Sequence, residues 1–386
     1  MQRLLRAAVV ALFAHASAVV GVHRPNMITC FVNWQGPCQS MTASIDVSHV
    51  LTYIDQVNAK LSSCNMNPDR TRLPGYLVND GAIDSVVYLP CVNTVRQVNM
   101  SSPTALFRIP YNVTTVTDIA AMYTAESACK IASGGKDAVA RANPPYTIVL
   151  FNMQNLPEYG AATEGDARST ELMVWVRADR VLPQPPRGGY ATTLTHELGH
   201  TWGLEHSHSR AWDLGDCSCP MGCADTIDTC FNAPNARKLG WAAPLLPPQV
   251  PGASATTYVI PVFTTAYENH VVLDVSGGCA LYLSVRSSQG SPFADAAVAA
   301  QLVSNYNGTM VAVQNAVSVH LVSATDTYFV DAVAEGATLS LRPVLSGMFG
   351  LNATADPTNV VVVHARYDPV ALQSTVVVHA GLCTCA

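Results

Sequence analysis

Residues 196–206 read His-Glu-Leu-Gly-His-Thr-Trp-Gly-Leu-Glu-His. On an α-helix, side chains four positions apart lie on one face, so His196 and His200 can offer their imidazoles to one cation. Gly203 can adopt the left-handed conformation that ends a helix and turns the chain, which would bring His206 round as third ligand. Three neutral histidines leave the fourth position of a tetrahedral ion open to water, as a catalytic zinc requires. Zinc lowers the pKa of that water to about 7, and Glu197 is placed to take its proton as general base. The same carboxylic acid would deliver the proton to a leaving amine, while the ion polarises the scissile carbonyl. One catalytic Zn2+ is expected; the sequence does not indicate calcium.

The weight rests on the joint pattern. A lone histidine is ordinarily a satisfied core or surface residue, and His15, His208 and His270 are read that way. Coincidence of the five fixed positions by chance has a probability on the order of 10⁻⁵. His208 competes with His206 as third ligand, but the Gly203 spacing favours His206. Glu205 reads as a solvated helix-end residue. Downstream, Met221 and Gly222 sit in a turn rich in cysteine, Asp213 to Cys223. A thioether there would form an apolar floor beneath the ligands without coordinating the ion.

Those residues need elements to hold them. Tyr146–Met153 and Leu172–Val176 are strand-like runs, and a helix is expected from about Ala191, behind the break at Pro183–Gly189. Upstream, Met27–Trp34 and Ser85–Pro90 read as strands. Val47, Val50, Leu51, Ile54, Val57 and Leu61 recur at helical spacing, and a second helix is expected over about Thr117–Ser133. Pro244, Pro247, Pro248, Pro251 and Gly252 read as a linker. Beyond it helical periodicity stops, and short runs rich in Val, Thr and Tyr follow: Tyr258–Phe263, His270–Val275, Leu281–Val285, Val317–Val322, Tyr328–Val330, Val360–His364 and Thr375–His379. Many short strands separated by turn residues predict an antiparallel sandwich.

Composition sets the compartment and excludes some partners. Only 12% of the 386 residues are charged, and the net charge is −6. The lysines are Lys60, Lys130, Lys136 and Lys238, so no basic run exists to hold nucleic acid. Arg3 and Arg6, then an apolar run from Ala7 to Val20, then small residues at Ala16–Ala18 form the pattern of a secretory signal peptide cleaved after Ala18. No other stretch approaches the roughly 20 apolar residues needed to span a bilayer. Twelve cysteines in an exported chain read as a disulfide framework, six bridges at most. Cys217, Cys219, Cys223 and Cys230 could instead gather a second zinc, although export favours disulfides. Likewise Cys30, Cys38 or Cys64 could cap the metal in a latent form, against ordinary pairing. Sequons at Asn99, Asn112, Asn307 and Asn352 agree with export and glycosylation.

The run His196–Ser207, with Gly215–Gly222, Cys230–Pro234 and Leu239-Gly-Trp241, resembles the gametolysin family. These are matrixin-like metzincin zinc endopeptidases that cut cell-wall and matrix glycoproteins. The resemblance covers about residues 85–245 and continues more loosely through Leu281–Arg286 and Asn315–His320. It implies an α+β zincin (metzincin) catalytic domain followed by an all-β sandwich-like domain. The expected layout is a signal peptide over 1–18, then 19–84 as a pro-segment or the first part of the catalytic domain. The protease domain follows over 85–245, the proline-rich linker over 246–255 and the β-sandwich over 256–386. The expected partner is a protein or glycoprotein substrate outside the cell, with no nucleic acid and no membrane span. A competing reading is a non-catalytic wall or adhesion glycoprotein that keeps zinc as a staple. Glu197 argues against it, because a structural site needs no base and closes with four protein ligands.

Overall fold

The computed structural model describes residues 26–35, 47–69, 85–92, 109–110, 129–130, 146–152, 160–162, 171–177, 191–209, 214–222, 229–275, 279–289, 302–305, 307–323, 326–341 and 359–381. The expected signal peptide and most of the expected helix over Thr117–Ser133 lie outside the described residues. So do Asn99, Asn112 and Asn352.

The architecture is mixed α/β with several sheets. The first sheet contains β1 (Asn26–Gln35), β2 (Ser85–Val92), β3 (Ile109–Pro110), β4 (Tyr146–Asn152), β5 (Gly160–Ala162) and β6 (Glu171–Arg177). Their order is β3-β2-β1-β4-β6-β5, and every pairing is parallel except that of β5 with β6. β1 therefore lies inside the sheet, between β2 and β4. Leu172 to Val176 are all buried, which fits a strand covered on both faces.

Two helices pack together beside this sheet. Helix α1 (Val47–Cys64) buries Val50, Tyr53, Ile54, Val57 and Leu61, the stripe expected from its spacing. These side chains share one apolar cluster with Leu194 and Leu198 of helix α2 (Ala191–Thr201). The Tyr53 hydroxyl accepts a hydrogen bond from Leu194 N at 3.2 Å. That N–H lies in the first turn of α2, so the contact ties the start of the histidine helix to α1. Cys64 at the end of α1 is bonded to Cys230, and Cys30 of β1 to Cys129.

The second half is built on two further sheets. One runs β7 (Ser207–His208), β15 (Thr327–Val333), β14 (Ala316–Val322), β11 (Cys279–Arg286), β10 (Glu268–Val275) and β8 (Ala243–Pro244) in spatial order. The other runs β16 (Thr338–Ser340), β17 (Asn359–Asp368), β18 (Gln373–Gly381) and β9 (Thr256–Pro261), while β12 (Leu302–Ser304) and β13 (Met310–Ala312) form a hairpin. Leu281, Leu283 and Val285, with Val317, Val319 and Leu321, join Tyr258, Ile260, Val360, Val362, Val376 and Val378 in one core between the two sheets. Alternation then sends Tyr282, Ser284, Arg286, Ser318 and His320 to the opposite face of the first of these sheets. That face meets the helices: Val272 and Tyr282 belong to the same cluster as α1 and α2.

The expected linker over 246–255 is tied along β10 and β18. Leu245 N donates to His270 O at 2.8 Å, Gln249 N to Val272 O at 3.0 Å and Asp274 N to Gln249 O at 2.8 Å. Ala380 N donates to Gly252 O at 2.8 Å. Proline lacks a donor but is tolerated along the edge of a sheet, and this stretch lies at the β8 edge. Composition signals an irregular segment; it does not distinguish a free one from one laid against an edge.

Candidate metal centre

Helix α2 carries the first two histidines and ends as its sequence requires. Gly203 has φ +78°, its N–H donates to His200 O at 2.9 Å, and Leu204 N donates to Gly199 O at 2.9 Å. This double closure turns the chain sharply and needs the left-handed residue that glycine supplies. His206 comes round to the other two histidines. The Nε2 atoms of His196 and His200 are 3.1 Å apart, and those of His200 and His206 are 3.2 Å apart. Potential ligand atoms of all three lie within 4.8 Å of one another.

The outer nitrogens decide which way the lone pairs point. His196 Nδ1 is 2.7 Å from Pro220 O, and His200 Nδ1 is 3.0 Å from Leu204 O. A carbonyl oxygen only accepts, so each Nδ1 carries the hydrogen and each neutral ring presents its Nε2 lone pair inward. Two lone pairs facing each other at about 3 Å repel unless a cation lies between them. The donor set fits a metal ion. Burial is the main reason His196 is held at about 3, far below the usual histidine range. The Pro220 carbonyl opposes that shift, while His200 and His206 reinforce it. Glu197, the expected base, is buried on the same helix.

Met221 is fully buried, and it explains a residue the sequence reading passed over. A Cβ on Gly199 would lie 2.3 Å from Met221 Sδ, so the thioether packs directly on the helix backbone beside His200. Ser207 N donates to Met221 O at 2.9 Å, closing the loop between third histidine and methionine. Around that loop, Asp216 is completely buried. Its carboxylate accepts from Ser207 Oγ at 2.7 Å, Asn232 Nδ2 at 2.9 Å, Ser218 N at 3.0 Å and the Ser218 hydroxyl. His320 Nε2 on β14 lies 3.2 Å from Asp216 Oδ2. Burial alone would raise this acid, but His320 and the serine donors outweigh it and hold the carboxyl well below its ordinary range. Neither Asp216 nor His320 stood out in the sequence, because nothing in a lone acid or a strand histidine announces a partner about a hundred positions away.

Residues 187–336 match the family described as gametolysin peptidase M11. The chain is a metallopeptidase, and over those residues it is similar to the gametolysin family. The match to this peptidase family begins before α2 and runs past the proline-rich segment through β15. No curated protein matches. A solved structure of archaemetzincin from Methanopyrus kandleri is similar at 15% identity with a TM-score of 0.28, over 55% of this chain and 94% of that one. A likeness that loose bears on neither the fold nor the activity of this peptidase.

Two alternatives left open for the peptidase's cysteines are decided, the first in favour of disulfides. The cysteine cluster is not a second metal site, because Cys230 is bonded to Cys64 and Cys217 is itself in a disulfide. Nor do all twelve cysteines pair: Cys219 is a buried free thiol, pushed up to about 11 chiefly by burial. Of the three candidates for a latency cap, Cys30 and Cys64 are in disulfides, and Cys38 lies outside the described residues. Of the expected glycosylation sites, Asn307 is exposed in the turn between β12 and β13.

Proposed function

We propose that this peptidase is a secreted zinc endopeptidase of extracellular-matrix or cell-wall glycoproteins, with Glu197 as general base. The observation that carries the reading is the inward convergence of three Nε2 atoms whose outer nitrogens, at His196 and His200, are fixed by carbonyls. His196, His200 and His206 would hold the ion, which supplies Lewis acidity to the attacking water and the scissile carbonyl. Glu197 takes the proton from the water and passes it to the departing amine. Three protein ligands rather than four leave room for substrate, which the competing role of zinc as a staple would not require.

An extended substrate would add to β5, the antiparallel edge of the first sheet, which packs against α2. The Met221 loop would border the pocket for the residue after the cut. Export is supported by the apolar N-terminal run and by the disulfides, and glycosylation by the sequons. The catalytic unit is read as a zincin domain whose first part includes residues 26–69, followed by the β-sandwich. Its support is the position of β1 inside the sheet and the Cys64–Cys230 bond.

Casein zymography with and without 1,10-phenanthroline tests the activity; clearing that the chelator abolishes is expected. Glu197→Ala is expected to lose cleavage and keep about one zinc per chain, because the carboxylate is not a ligand, whereas His200→Ala loses both. Substantial turnover by Glu197→Ala removes the base assignment, and zinc loss by a folded Glu197→Ala makes Glu197 a ligand.

A further inference from the structure

The loop that shapes the metal site is held from two sides. On its own side, Asp216 N donates to Ser207 O at 3.2 Å and Cys219 N to Asp216 O at 3.1 Å, so the turn wraps around the acid. From this turn Pro220 presents the carbonyl that orients His196, and Met221 packs on Gly199. On the far side stands the polar face of the β7–β8 sheet. Its His320 pairs with Asp216, both side chains being fully buried. Arg286 on β11, also fully buried, donates to Thr229 Oγ1 at 2.6 Å, Cys230 O at 3.1 Å and Phe231 O at 3.0 Å. β7 itself, which begins at the residue after His206, pairs with β15 through Ser207 and Thr327.

We propose that His320 is a positioning residue for the metal site: through Asp216 it fixes the 207–222 loop, and thereby the orientation of His196. The inference rests on the metal-site reading above. A carboxylate only accepts, so His320 Nε2 donates, and the position of the residue on β14 sets where that donor stands. The Asp216 carboxylate gathers donors from residues 207, 218, 232 and 320 and so sums four chain segments at one point. Without the His320 donor, a fully buried carboxylate is left short of a partner and the turn around it is held less firmly. Pro220 O then no longer has a fixed place relative to His196 Nδ1. Outer partners of ligating histidines set ring orientation and ligand basicity, and losing one weakens metal binding about 10–100-fold. The β-rich half is on this account part of the peptidase machinery.

The test uses the full chain with His320→Leu and His320→Gln. Gln keeps an N–H donor without the ring; Leu keeps none. Zinc affinity is measured by competition with a chromophoric chelator, and the ligand field by the visible bands of the Co(II)-loaded protein. Thermal unfolding of each metal-free chain provides the fold control. A role confined to stability would lower the melting temperature of His320→Leu and leave the affinity and Co(II) bands of its folded fraction at wild-type values, which overturns the proposal. The expected result is zinc binding about 10–100-fold weaker in His320→Leu with altered Co(II) bands, and recovery of most of that loss in His320→Gln. Should His320→Leu fail to fold, Ser207→Ala replaces it, removing one donor from the same carboxylate; affinity and bands identical to wild type then overturn the proposal. Absence of zinc binding by the wild-type chain would instead remove the metal-site reading on which the inference rests, so the two failures are distinguishable.

Discussion

Gly222→Ala is a sharp perturbation of the loop beneath the histidines. An added Cβ would lie 2.0 Å from the Asp216 carbonyl oxygen, 2.5 Å from its carbonyl carbon and 3.0 Å from its Cα. An ordinary carbon–oxygen approach is about 3.3 Å or more, so the two backbone segments must part by roughly 1 Å. Neither can yield easily. Gly222 N donates to Cys219 O at 2.9 Å, and Asp216 is fixed through its own backbone and through its carboxylate. Overpacking costs about 1–3 kcal/mol, and a clash between two backbones belongs at the upper end of that range. Weakening one buried polar contact of Asp216 adds about 1 kcal/mol, for a total of roughly 3–4 kcal/mol. Gly252→Ala serves as the control: its nearest neighbour is Ser254 N at 4.0 Å, so its effect should stay within about 0.5 kcal/mol. Urea unfolding followed by tryptophan fluorescence reads both, since Trp241 is fully buried in the adjoining cluster. If Gly222→Ala unfolds within about 0.5 kcal/mol of the control, the close approach of the two segments is wrong.

Further outcomes follow from other contacts. Tyr53→Phe removes the hydroxyl that accepts from Leu194 N and should cost about 0.5–1.5 kcal/mol in the same unfolding assay; an unchanged midpoint would mean that this N–H is served equally well without the hydroxyl. His270 is held at about 3, first by burial and then by the charge of Arg237, so its folded value lies below its unfolded one. Its contribution is therefore present above about pH 6.5 and declines as pH falls toward 3; His270→Gln should flatten the loss of metal-free stability over that window, and an identical slope would exclude His270 as a source. Removing the Cys64–Cys230 bond, whose partners are 166 positions apart, should cost up to about 5 kcal/mol on the loop-entropy scale, read as a lowered unfolding midpoint of Cys64→Ser/Cys230→Ser; a loss below about 1 kcal/mol would contradict it. N-terminal sequencing of the active enzyme should place its start ahead of Asn26; a start beyond Cys64 would return residues 19–84 to the role of a removed pro-segment.

Local chemistry was legible without coordinates. The spacing of His196, Glu197, His200, Gly203 and His206 encodes a helix face and its termination, because helix geometry and the conformational freedom of glycine are properties of short segments. The apolar stripe of α1 and the runs that became β9, β10, β11, β14, β15, β17 and β18 were readable for the same reason: alternation and helical period are local. The tertiary structure decided what local periods cannot carry. It placed Met221 on Gly199, paired Asp216 with His320 across about a hundred positions, and put β1 inside the first sheet with α1 behind the histidine helix. It also laid the proline-rich segment along β10, where composition had suggested a linker. Each of these depends on which faces meet after the chain has closed, and a buried carboxylate reads in sequence the same as a solvated one.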